Sequence, residues 1–235
     1  MGMEKLGALV VAAGKGSRFG GPVSKQFLPL GGLPVLARTL AALQEAPAVS
    51  EIVLVVGGDD VEHCRGWKER YGIGKLTAVT AGGAERQHSV WAGLQLVTTE
   101  WVIVHDGVRP FVDGPLIERC WQAAREAGAA VAAVPVKDTI KVADDSGTIV
   151  HTPDRKSLWA IQTPQAFRRS DLVEAHLRAQ RDGFLGTDDA TLVERIGIPV
   201  RLVPGDYGNI KITTPEDLEW AAFQLELLKR GERRE

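Results

Sequence analysis

Apolar residues fall along this chain in short unbroken blocks rather than in strict alternation. "LGALVVA" (6–12), "IVLVVG" (52–57), "LTAVT" (76–80), "WVIVHD" (101–106) and "AAVAAVPV" (129–136) are such blocks, and runs of this length with no polar face predict strands covered on both sides. Between them lie stretches with helical spacing: "LPVLARTLAALQEA" with Pro34 near its start, "DDVEHCRGWKERY", "AERQHSVWAGLQLV", and "DGPLIERCWQAAREAG" closing at Gly128. Proline in a first turn and glycine past a last one are ordinary helix ends. Strand and helix therefore alternate, which predicts an α/β fold built on a doubly wound, mostly parallel sheet with crossover helices on both faces.

After Val136 the alternation stops. "VKDTIKVADDSGTIVHT" reads as two short strands around the turn "DDSG", with no helix to cover them. Two strands alone are marginal in water, so a protruding arm at about 137–158 is expected to pack on something else, a second subunit being the natural candidate. The segment "TTPEDLEWAAFQLELLKRGERRE" reads as a helix capped by Thr214, with Pro215 first, acidic residues early and basic residues late. No repeat, low-complexity tract or linker divides the 235 residues, and a single domain is expected.

Composition narrows the partners. With 44% hydrophobic and 25% charged residues and a net charge of −2, the chain has no global attraction for nucleic acid or an anionic membrane, and neither is expected as a partner. Cys64 and Cys120 have no neighbour at metal or disulfide spacing, which fits a reducing cytoplasmic home. No signal peptide opens the chain and no apolar run is long enough to span a bilayer, so a soluble, unanchored protein is expected.

Ligands of an open parallel sheet bind beyond the carboxyl ends of its strands, and three loops there carry unusual chemistry. "AAGKGSRFGG" follows the first strand. Its glycines are spaced G-x-G-x-x-x-G, one residue off a dinucleotide fingerprint, and it lacks the P-loop pattern; backbone N–H groups that wrap an anion, aided by Arg18 and Lys25, are what remains. "AGGAERQHSV" sets two glycines ahead of a helix start, where Arg86 and Ser89 could meet a polar ligand, although the glycines could equally serve the turn alone. "HDGVRP" places Asp106 where a carboxylate could hold Mg²⁺ and Arg109 where it could neutralise a phosphate; a surface aspartate capping the next segment is the competing reading. Lys211, between Ile210 and Ile212, reads as part of a short apolar strand.

"VAAGKGSRFG…SKQFLPLGG", "GGAERQHSV", "VHDGVRPF", "PVKDTIK", "TPDRKSLW", "IQTPQAF" and "GNIKITTPEDL", in this order and spread over nearly the whole chain, resemble the 2-C-methyl-D-erythritol 4-phosphate cytidylyltransferase family. The first motif alone would mark only the wider nucleotidyltransferase superfamily. The resemblance implies a Rossmann-like nucleotidyltransferase fold, Mg²⁺ as cofactor, and transfer of CMP from CTP to 2-C-methyl-D-erythritol 4-phosphate with release of pyrophosphate. It implies nucleotide contacts at Ala12, Ala13, Gly14, Gly16, Gly83, Arg86 and Ser89, and a metal at Asp106. Arg18 and Lys25 match the pair that stabilises the triphosphate. Arg155 and Lys211 match the pair that positions the acceptor phosphate, assisted by Arg109, Thr139, Thr163 and Thr187. The hairpin resembles the arm through which two family subunits interlock, which implies a homodimer.

Two positions depart from the family pattern: Ala84 stands where an acidic residue is frequent, and "HDGVRP" replaces the commoner "HDAARP". The acceptor phosphate is already anionic, so the reaction asks for positioning and charge rather than for a general base. His105 and His88 are accordingly read as structural hydrogen-bonding residues, and the tryptophans as mostly core. The nearest rival reading is a ribitol 5-phosphate cytidylyltransferase, which shares most of these motifs. A CTP sensor without turnover and a nicotinamide oxidoreductase are further alternatives. The chain ends soon after its last motif, so no fused second enzyme of the pathway is expected.

Overall fold

In chain order the elements are β1 (Leu6–Ala12), two-residue strands β2 (Pro29–Leu30) and β3 (Leu33–Pro34), α1 (Val35–Glu45), β4 (Val49–Val56), α2 (Val61–Arg65), α3 (Trp67–Arg70), β5 (Leu76–Ala81), α4 (Arg86–Leu94), β6 (Trp101–Asp106), α5 (Gly114–Ala127), β7 (Ala129–Pro135), β8 (Val142–Ala143), β9 (Ile149–His151), β10 (Trp159–Arg168), α6 (Arg169–Arg181), α7 (Asp189–Arg195), β11 (Val200–Pro204) and α8 (Pro215–Lys229). The computed structural model describes residues 4–14 and 24–231.

The main sheet runs β11-β7-β10-β6-β1-β4-β5. All neighbours are parallel except β10, which is antiparallel to both β6 and β7. The predicted doubly wound, mostly parallel sheet is present. The apolar blocks are continuous because each strand feeds two cores. Ala8 and Val10 of β1 and Ile52 and Leu54 of β4 pack with Leu36, Leu40, Trp67, Ile117 and Cys120 on one face. The residues between them, Leu9, Val53 and Val55, pack with Val90, Leu94, Leu172 and Val193 on the other. A period of two thus places alternate side chains in opposite layers, both apolar.

Several features lie outside the sequence reading, α6, α7 and β11 among them. β10 was not read as a strand, because Gln162, Thr163 and Gln165 interrupt its apolar pattern; all three are buried in the structure. The helix expected over "DDVEHCRGWKERY" is broken into α2 and α3 at Gly66. The segment around Lys211 is not a strand but an extended loop, fastened by one backbone bond from Ile212 N–H to the Val108 carbonyl at 2.9 Å. Ile212 fills a small third core with Leu30, Val35, Val108 and Ala221, and this apolar anchor explains the isoleucines without a sheet. Trp159 and Trp220 are exposed rather than packed in the core.

The hairpin is present as the antiparallel pair β8–β9, with Asp144 organising its turn through bonds from the backbone of Ser146 and Thr148. Its apolar residues Ile140, Val142, Ile149 and Val150 stand exposed. At the other end of the chain, α8 starts as expected, with Thr214 Oγ1 accepting from Asp217 N–H and Asp217 Oδ2 accepting from Thr214 N–H.

Candidate active site

The strand order reverses between β1 and β6, and a crevice opens beyond their carboxyl ends, the position general physical rules assign to ligands in such sheets. β1 and β6 are in register, with Val11 opposite Asp106, so the chain leaving Ala12 and the carboxylate ending β6 emerge side by side. Gly82 donates its N–H to the Val56 carbonyl at 2.8 Å, Gly83 donates to Ser89 Oγ at 3.2 Å, and Ser89 donates in turn to the Glu85 carbonyl at 3.1 Å. A Cβ on Gly82 would lie 2.4 Å from the Ala13 Cβ and 2.6 Å from Ser89 Oγ. Glycine there lets the β1 exit and the first turn of α4 close on one pocket.

That pocket is lined by Ala12, Ala13, Gly14 and Lys25 from one side, Gly83, Arg86 and Ser89 from the second, and Asp106 and Lys211 from the third. Nine residues predicted from sequence thus come together. Gly16 and Arg18 lie outside the described residues. Lys25 opens a single helical turn that continues into Gln26, which is buried and donates through Nε2 to the Ala12 carbonyl at 3.0 Å. Gln26 was not singled out from the sequence; a polar residue inside an otherwise apolar "QFLPL" was the available signal.

Asp106 is the electrostatic centre. Its Oδ2 meets Lys211 Nζ at 2.9 Å and Arg109 Nε at 3.6 Å, and its Oδ1 faces Arg86 Nε at 3.6 Å. Burial by itself would raise its pKa, but the charges of Lys211, Arg86 and Arg109 outweigh burial and hold the carboxyl well below the usual carboxylate range. Arg86 is also bound by Asp189 Oδ2 at 2.6 Å. Burial opposes its charge, and Asp189 and Asp106 together more than restore it. Arg109 is buried and donates through Nη1 to the Asn209 carbonyl at 2.7 Å, which ties β6 to the loop bearing Lys211.

His105 and Thr163 support this centre from behind. Burial pushes the His105 imidazole down to about 4, so the ring is neutral near neutral pH. Its Nε2 lies 3.1 Å from the Arg109 carbonyl, which can only accept, so Nε2 carries the proton and Nδ1 accepts from Thr163 Oγ1 at 3.1 Å. Thr163 Oγ1 in turn accepts from Asp106 N–H at 3.0 Å. Thr163 is therefore placed behind Asp106 rather than on the pocket wall. His105 fits the structural role read for it.

The other predicted residues lie apart from the pocket. Thr139 and Arg155 are both exposed on the arm, with Arg155 Nη1 donating to the Lys137 carbonyl at 2.9 Å. Thr187 is exposed in the loop before α7, 3.3 Å from Thr191 Oγ1. Among the described residues no group of three or more potential metal-ligating side chains exists. Magnesium, however, needs only one or two carboxylates when substrate phosphates and water complete its shell. An ionised Asp106, whose Oδ1 has among the described residues only a long contact to Arg86, suits that arrangement. No described helix is long and apolar enough to cross a membrane.

The family model described as IspD, 2-C-methyl-D-erythritol 4-phosphate cytidylyltransferase, matches residues 6–227. The protein of that name from Geobacter metallireducens is 49% identical over 228 residues, covering 94% of this chain and 98% of its own. The one from Symbiobacterium thermophilum is 50% identical over 220 residues, covering 93% and 92%. Among solved structures, 4-diphosphocytidyl-2C-methyl-D-erythritol synthase from Anaerococcus prevotii superposes with a TM-score of 0.83 at 34% identity, over 95% of this chain and 99% of that one. The 2-C-methyl-D-erythritol 4-phosphate cytidylyltransferase of Thermus thermophilus gives 0.77 at 35%, over 94% and 99%. With a family model spanning most of its length, relatives near half identity and the same fold in solved members, this chain belongs to the 2-C-methyl-D-erythritol 4-phosphate cytidylyltransferase family.

Proposed function

We infer that the protein transfers CMP from CTP to 2-C-methyl-D-erythritol 4-phosphate, giving 4-diphosphocytidyl-2-C-methyl-D-erythritol and pyrophosphate for isoprenoid precursor synthesis. The observation that carries this reading is the family match over residues 6–227, which includes the whole cationic pocket at the β1/β6 switch point. An oxygen of the acceptor phosphate attacks the α-phosphorus of CTP, and the bond from that phosphorus to the β-bridging oxygen breaks. Both partners are anions, so the site must suppress their repulsion and hold them in line.

In this reading the Gly14 backbone and the Gly83–Ser89 turn bind the nucleotide, and Lys25, with Arg18, stabilises charge on the leaving pyrophosphate. Lys211 and Arg155 position the acceptor phosphate, with Arg109, Thr139 and Thr187 in support and Thr163 acting from behind through the Asp106 backbone. The exposure of Arg155 and Thr139 on the arm favours a site completed by a neighbouring subunit, and the bare apolar side chains of β8 and β9 favour a homodimer. Asp106 would hold magnesium, which when bound lowers the charge of the triphosphate.

The test is an acceptor profile. With CTP and Mg²⁺, pyrophosphate release is expected with 2-C-methyl-D-erythritol 4-phosphate and not, at comparable kcat/KM, with ribitol 5-phosphate. Preference for ribitol 5-phosphate would overturn the assignment, and no release with any acceptor would favour a CTP sensor. Sedimentation velocity is expected to give a dimer, and Ile149→Lys with Val150→Lys a monomer.

A further inference from the structure

Two helix starts face each other behind the nucleotide pocket. Arg86 is the first residue of α4 and Asp189 the first of α7. The Arg86 guanidinium lies between two buried carboxylates and is shared unevenly: Nη1 donates to Asp189 Oδ2 at 2.6 Å, whereas Nε stands 3.6 Å from Asp106 Oδ1.

Asp189 is fixed by its surroundings. Asp188 Oδ1 caps α7 by accepting from Thr191 N–H at 2.9 Å, and Asp188 Oδ2 accepts from Gln165 Nε2 at 2.8 Å. Gln165 Oε1 accepts from Ala190 N–H at 3.2 Å. Gln87, next to Arg86, closes the same gap, donating to the Phe184 carbonyl at 3.1 Å and accepting from Gly186 N–H at 2.9 Å. The remaining oxygen of Asp189, Oδ1, has no hydrogen bond, and the nearest basic group is His176 Nε2 at 3.6 Å. Arg86 is therefore the strong partner of Asp189.

We propose that Asp189 is a positioning residue: it holds the Arg86 guanidinium off Asp106 and so keeps the Asp106 carboxylate open toward the metal-bound nucleotide. This rests on the assignment of magnesium to Asp106. Without the Asp189 charge, Asp106 at 3.6 Å is the nearer carboxylate left to Arg86, because both oxygens of the neighbouring Asp188 are engaged by Gln165 and Thr191. Contraction of the Arg86–Asp106 separation to an ordinary ion-pair distance strengthens their attraction, at an intermediate effective dielectric, by about tenfold in an equilibrium constant. The metal must then displace a tighter partner.

The experiment compares CTP affinity by titration calorimetry in MgCl₂ and in EDTA. In Asp189→Asn the ratio of the two affinities is expected to fall about tenfold from the wild-type ratio, and a crystal structure is expected to show Arg86 Nε closed onto Asp106 Oδ1. Equal weakening under both conditions with Arg86 unmoved would mean a merely structural residue and overturns the proposal. The double variant Arg86→Met, Asp189→Asn strands no buried charge and is read in its place should the single variant not fold. Its ratio is expected to be no lower than that of the wild type, because no guanidinium remains to compete for Asp106, and a ratio that falls as in Asp189→Asn overturns the proposal. Asp106→Asn separates the two claims. If it keeps the wild-type ratio, the metal assignment fails, and the Asp189 claim stands or falls on the Arg86–Asp106 distance in the Asp189→Asn crystal.

Discussion

Replacing Asp106 with asparagine keeps the side chain's shape and removes its charge, which leaves Lys211, Arg86 and Arg109 converging with no anion among them. Removing one partner of a buried ion pair costs about 3–5 kcal/mol when the stranded charge has no other refuge. Two of these three cations have one. Arg86 retains Asp189 at 2.6 Å, and Lys211, whose side chain is 38% exposed, can turn to water. Arg109 is buried and keeps the Asn209 carbonyl. The loss is therefore expected near 2 kcal/mol, below the full range, and in a chain of 235 residues this lowers Tm by about 4–8 °C.

The same change makes the pocket more positive. CTP in EDTA should bind no more weakly than to the wild type, while turnover with magnesium falls by about 10²- to 10³-fold, the scale for losing one preorganised charge-stabilising group. Scanning calorimetry and CTP titration read the two halves. An unchanged Tm together with weaker metal-free CTP binding would refute the view of Asp106 as the counter-ion of this cluster.

Lys25→Ala is expected to depress kcat by about 10²- to 10³-fold with a small change in KM for CTP, and Arg155→Ala to raise KM for the acceptor with kcat largely kept; steady-state kinetics with each substrate varied separates the two patterns. Gly93→Ala places a Cβ 2.2 Å from Leu9 Cδ1 and 2.6 Å from Val55 Cγ2, where α4 rests on the sheet. It should cost about 1–3 kcal/mol, seen as a lower urea midpoint at unchanged slope. His105 titrates near 4 when folded against an ordinary 6.5, so between those values the unfolded chain holds a proton that the folded one does not. Stability is complete above 6.5 and declines as pH falls toward 4, with a slope of at most ~1.4 kcal/mol per pH unit from this group; His105→Gln should flatten that part of the curve.

Legibility followed burial. The strands buried on both faces were readable because their apolar blocks have no polar gap, as in "ALVV" and "VIV". β10 was hidden because Gln162, Thr163 and Gln165 are buried for their hydrogen bonds, to the Asp206 carbonyl, to His105 and to Asp188. A periodicity rule sees polarity there, not satisfaction. Lys211 was misplaced in a strand for the opposite reason: its flanking isoleucines are apolar because they anchor a loop. Motif matches named the pocket residues well, but Asp189 pairs with Arg86 across 103 positions of sequence, and no local spacing announces such a pair.

The pocket at the β1/β6 switch is expected to hold CTP with its triphosphate between Gly14, Lys25 and the Asp106–Lys211 pair. A crystal structure of the protein with CTP and magnesium tests it most directly. The account predicts the α-phosphate beside Lys25 and a metal-mediated contact to Asp106, with Lys211 turned toward the acceptor side. A nucleotide bound elsewhere, or one in the crevice with its triphosphate pointing away from Lys25 and Asp106, would contradict it.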